Sequence, residues 1–156
     1  MRRTIITLLC CVCCTMTCMT AQAQVKAFEK YSDAKNVTYV YISQFMLKLA
    51  GLKATPSLPG VNTTNLMSKL DCIQIISSEE KNAALKLKAD TQGIVQKEKY
   101  GLLLQVSEED EKVDIYYSID KKHGVVIMLT QENNEVTVII FSGKFTLEDV
   151  IKMVNK

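Results

Sequence analysis

Between Tyr100 and Gly143 four segments rich in β-branched and aromatic residues follow one another with almost nothing between them. They are 100–107 (YGLLLQVS), 112–120 (KVDIYYSID), 125–132 (VVIMLTQE) and 135–143 (EVTVIIFSG). The links are an acidic run, Glu108 to Glu111, then Lys121-Lys122-His123-Gly124, then Asn133-Asn134. A parallel return needs a crossover of a dozen or more residues, so links this short join antiparallel neighbours. The C-terminal half is therefore read as a four-strand meander. In 112–119 the alternation puts Val113, Ile115, Tyr117 and Ile119 inward, with Asp114, Tyr116 and Ser118 outward. The segments at 125–129 and 136–141 carry apolar groups on both faces, through Val126, Met128, Ile139 and Phe141. Such strands are central and covered twice, by helices or by a second copy.

Upstream the period changes from two to 3.6. Residues 24–35 place Val25, Phe28 and Tyr31 at helical spacing, and Asn36 punctuates them. A strand follows at 37–43, and Ser43 is positioned to cap a helix whose apolar face holds Phe45, Met46, Leu49 and Ala50. Residues 51–64 hold both prolines, Pro56 and Pro59, and read as the one long loop. Residues 65–70 read as a helical turn and 71–78 as a strand. A helix opens after Ser77-Ser78-Glu79-Glu80 and buries Ala84, Leu87, Thr91 and Ile94. Thr146 caps a closing helix with Leu147, Val150, Ile151 and Val154 on one side. The sum is an α+β fold: one domain over 24–156, mainly antiparallel sheet, packed by helices.

The first 23 residues are of another kind. Arg2 and Arg3 precede an apolar stretch from Ile5 to Met19, and Ala21-Gln22-Ala23 ends it with small residues. This is the layout of a secretory signal peptide cleaved after Ala23. The stretch is broken by threonines and is too short for a spanning helix, which needs about 20 apolar residues. Its cysteines lack the small residue that lipoprotein processing favours before the modified thiol. An exported protein is expected, periplasmic or at the outer envelope, with cleavage favoured over a lipid anchor and no transmembrane span in the mature chain.

Cleavage changes the composition. Arg2 and Arg3 are the only arginines, so the 19 basic residues fall to 17 lysines, matched by 17 acids. A neutral, arginine-free chain has little attraction for phosphate backbones and no bidentate base reader, which excludes nucleic acid as a partner. Five of the six cysteines leave with the signal and only Cys72 stays, so no internal disulfide forms. A cysteine nucleophile needs a base, and the only histidine, His123, sits in a lysine-flanked turn. Cys72 is read as a buried apolar residue and His123 as a solvated turn residue. One cysteine and one histidine cannot make a zinc site, and Glu108–Glu111 lacks the ligand spacing of a calcium loop. No phosphate-binding glycine loop or nucleophile elbow is present. The sequence offers no catalytic, cofactor-binding or metal residues.

FEKYSDAKNVTYVYISQFMLKL, LDCIQIISSEE and VTVIIFSGKFTLEDVIKM together resemble a family of small exported proteins of Bacteroidetes-type Gram-negative bacteria, domain of unknown function 4252. The likeness spans nearly all of 25–156, and its strongest signature is the ending: a strand, Gly143, then Phe145-Thr146-Leu147-Glu148-Asp149 opening a helix. The family has no agreed activity to carry over. Its members tend to carry a polar residue near Val125-Val126, where this chain departs. The resemblance implies a connection to envelope signalling.

Three functional expectations result. The first is a non-enzymatic envelope binding or accessory protein whose partner or ligand is unknown, with 51–64 and the doubly apolar strands as contact surfaces and a homodimer among its forms. The second is a sensor or regulator partner in envelope stress. The third is an enzyme on cell-wall or glycan material, with Tyr39, Tyr41, Tyr116 and Tyr117 stacking on sugars.

Overall fold

The computed structural model describes residues 26–53, 68–120 and 123–149. The signal-peptide reading, most of the proline loop and the last seven residues of the closing helix lie outside them. Six strands form one antiparallel sheet: β1 (Thr38–Ser43), β2 (Leu70–Ser78), β3 (Gly101–Ser107), β4 (Glu111–Asp120), β5 (His123–Glu132) and β6 (Glu135–Gly143). Two helices punctuate them, α1 (Gln44–Lys53) directly after β1 and α2 (Lys81–Lys97) between β2 and β3. The strand order is β1-β2-β6-β5-β4-β3. The four-strand meander is present, and its last strand returns to pair with β2. α2 is what makes this order possible, since it carries the chain from β2 to the far edge, where β3 begins.

Short links behave as their chemistry requires. Glu108 N–H donates to the Glu111 carbonyl (2.8 Å) to close the acidic hairpin. Asn133 takes φ 50°, a left-handed conformation that asparagine tolerates, and lets Glu132 pair with Glu135 across a two-residue turn. The N-terminal helix is shorter than its period suggests. Residues 26–29 are helical, and the chain then tightens into i→i+3 bonds, Tyr31 N–H to Phe28 and Ala34 N–H to Tyr31, ending at Asn36 (φ 60°).

Both faces of the sheet are covered. On the first face α2 and the N-terminal segment close over Ile76, Val125, Ile127, Leu129, Val136, Val138 and Ile140, adding Phe28, Tyr31, Ala84, Leu87 and Val95. Val95 takes the deep position expected for Ile94, which is half-buried. The second face carries a smaller cluster, Leu47 of α1 with Leu70, Ile73, Val126 and Phe145. Double coverage explains why β5 and β6 are apolar on both sides. It also overturns the outward reading of Asp114, which is 1% exposed on the α2 side with Tyr116 packed on the main core.

Glu80, rather than a serine, caps α2: its carboxylate accepts from the Asn82 and Ala83 amides (3.0 and 2.8 Å). These bonds hold its carboxyl below the ordinary range. Ser78 instead donates to the Asn36 carbonyl (2.7 Å), tying the strand end to the turn before β1. Thr146 does cap the closing helix. Its amide donates to Asp149 Oδ2 (2.8 Å) while Asp149 N–H donates back to its hydroxyl (3.3 Å).

Candidate contact surface

α1 is the element that departs furthest from expectation. Its period suggested that Phe45, Met46, Leu49 and Ala50 would face the core, but it buries Leu47 and leaves all four exposed. At 100° per residue, Phe45 and Leu49 lie about 160–200° around the helix from Leu47, pointing away from the sheet. Phe45 is 69% exposed. The local cause is at the helix start. Ser43 pairs with Cys72 as the last residue of β1, α1 begins at the next residue, and Gln44 Nε2 donates to Asp71 Oδ1 (3.1 Å). With the helix started and tied at this point, Leu47 is the side chain that meets the sheet.

β1 adds Val40 to the same corner, on the α1 side, while its Tyr41 is exposed on the opposite face. Of the nine large exposed hydrophobic residues among those described, Val40, Phe45, Met46 and Leu49 thus fall within ten positions. No charged side chain occurs between Lys35 and Lys48. Scattered exposed apolar residues are ordinary, whereas a concentrated and uncharged set marks an interaction surface. Of the surfaces expected from the sequence, the doubly apolar strands are central, and 54–64 lies outside the described residues.

A polar group borders this corner. Asp71 is the extra residue of a β-bulge where β2 meets β6 (Leu70 pairs Gly143, Cys72 pairs Ser142), and bulges re-aim side chains. His123 Nε2 lies 3.3 Å from Asp71 Oδ2, and its Nδ1 lies 3.2 Å from the Gly143 carbonyl. Both neighbours are acceptors, so a neutral ring satisfies one and an imidazolium both. His123 is therefore a half-buried tether at the start of β5, a correction to the solvated-turn reading. Beside it Lys69 pairs with Asp149 (2.7 Å), and together with the Thr146 amide it holds that carboxyl down to about 2.

Cys72 is buried, and burial pushes its thiol above the ordinary range. Both nitrogens of His123 are directed elsewhere, so the two residues do not form a nucleophile and base. Next to Cys72 on β2, Gln74 is fully buried and donates to the Tyr39 hydroxyl (3.0 Å), while its Oε1 has no hydrogen-bond partner. The tyrosines expected to stack on sugars are dispersed. Tyr39 and Tyr116 pack on the main core, Tyr117 on the second cluster, and Tyr41 is exposed.

The sequence reading also missed the buried carboxylate. Asp114 Oδ1 accepts from Gln105 Nε2 (2.6 Å), and its Oδ2 has Lys112 Nζ at 3.3 Å, close enough for charge contact but not aligned for a hydrogen bond. A lone acid in an alternating strand gave no signal that its face would be covered. Among the described residues no three His, Cys, Asp or Glu side chains come together to hold a metal ion. No helix among them is long and apolar enough to cross a membrane.

No curated protein and no solved structure matches the chain. The model of one family, described as a domain of unknown function (DUF4252), matches residues 31–153, which run from the buried Tyr31 through all six strands to the start of the closing helix, and the chain belongs to that family.

Proposed function

We propose that this is an exported, non-enzymatic module of the cell envelope that works by binding, with the outward side of α1 as its contact surface. The observation that carries the reading is the inverted helix, in which Phe45, Met46 and Leu49 face solvent while Leu47 is the one buried side chain among its residues 44–50. A helix presenting apolar residues at this spacing suits a hydrophobic groove on an envelope partner. The leader-like N-terminus supports export. The dispersal of the ionisable groups supports binding over catalysis: His123, Asp114 and Cys72 each have separate partners.

Site-specific photo-crosslinking tests it. A benzoylphenylalanine at position 45, introduced in the native host, is expected to give a discrete adduct with one envelope component. Leu49→Asp is expected to abolish that adduct. A protein that crosslinks to nothing from position 45, or that remains in the cytoplasm, contradicts the proposal.

A further inference from the structure

Among the described residues the sheet has two edge strands with no strand beyond them, β1 and β3, and they are not alike. An edge strand presents unpaired backbone N–H and C=O groups, and soluble proteins commonly blunt such edges with charges, prolines or bulges. β3 is interrupted: its register with β4 shifts between Leu102 and Leu104, leaving Leu103 as an extra residue. β1 has none of these devices. All six of its residues pair with β2 without a shift, none is charged or proline, and Val40 and Tyr41 are exposed on opposite faces.

We infer that β1 pairs antiparallel with β1 of a second copy, joining two six-stranded sheets into one continuous sheet about a two-fold axis. Water can satisfy this edge in a single chain, but another strand pairs its row of backbone donors and acceptors directly, for which an unguarded edge is a template. A second copy is favoured because the segment carries nothing that would repel its own twin across a two-fold axis. An isologous contact places every charge near its own twin, and 36–47 carries no charge to repel itself.

α1 packs on β1 and β2 on the second face, with Leu47 against Leu70 and Ile73 at the Ser43 end of β1. In an antiparallel pair the two Ser43 ends lie at opposite ends of the joined strands, so the pairing does not require the two α1 helices to touch. Cross-strand partners share a face, so the axis passes through one residue, Val40 or Tyr41, rather than between them. Phe45 and Leu49 remain outward in this arrangement, so the dimer presents the α1 surface twice. The pairing does not depend on the envelope-binding reading.

Light scattering on the full chain, expressed with its own N-terminal segment, is expected to give the mass of two chains. Val40→Lys places a charge on the open edge and is expected to halve that mass with the far-ultraviolet circular dichroism unchanged. Val106→Lys, on the bulged edge, should leave two chains. A second measurement covers the case in which Val40→Lys fails to fold. In the unmodified protein, amide exchange in 38–43 should slow as concentration rises from low to high micromolar, while 101–107 does not change. A single-chain mass throughout that range, exchange in β1 that ignores concentration, or dissociation by Val106→Lys but not by Val40→Lys would each overturn the inference.

Discussion

Gly143 shows how much one residue can decide. A Cβ built there would stand 2.3 Å from the Lys69 carbonyl oxygen and 2.7 Å from Leu70 Cα, both backbone atoms that cannot swing aside. The close approach lets Lys144 N–H donate to Lys69 O (2.7 Å), which joins the end of β6 to the start of β2. Gly143→Ala is expected to cost about 2–3 kcal/mol, as overpacking without relaxation does, and urea denaturation would measure it. Asp149 acts at the same junction. Its carboxyl falls from 3.8 to about 2 on folding, through Lys69 first and the Thr146 amide second. Because the folded value is the lower one, the stabilisation is complete above about pH 4 and is lost as pH falls through about 2. Asp149→Asn should therefore lower the melting temperature at neutral pH and flatten its dependence across that acid window. Tyr31 is a third junction, donating to Asp90 Oδ2 (2.6 Å), and burial first and that carboxylate second push its hydroxyl pKa up. Tyr31→Phe keeps the packing and removes the bond, at about 1 kcal/mol by chemical denaturation.

The two helices carry opposite burdens. α2 presents Ala84, Leu87, Thr91 and Val95 to the main core, and Leu87 is wholly buried. Leu87→Ala is expected to cost about 3 kcal/mol, the usual range for a leucine deleted from a packed interior. In α1 Leu47 is buried and Phe45 is exposed, so Phe45→Ser should change stability by less than about 0.5 kcal/mol while weakening whatever contact α1 makes. Thermal melts of the two variants side by side would distinguish a helix that builds the core from one that displays a surface. The amphipathic period of α2 was legible in the sequence because its apolar stripe and its buried stripe coincide. That of α1 misled, since periodicity reports that a helix has an apolar side but not whether the chain's own sheet or another surface receives it.

For the whole molecule, the antiparallel meander followed from nothing more than the length of three polar links, because two to four residues cannot cross a sheet. The capping Thr146, the turn at Asn133 and the α+β class were likewise written in local chemistry. The pairing of β2 with β6 was not, nor was the burial of Asp114, the bulge that turns Asp71 toward His123, or the unguarded edge at β1. Each joins residues far apart in the chain or depends on which face another element covers. Local sequence controls which dihedrals and short bonds a segment can adopt. Which strand lies beside which, and which apolar side meets the core, is settled only when the whole chain competes for the same buried space.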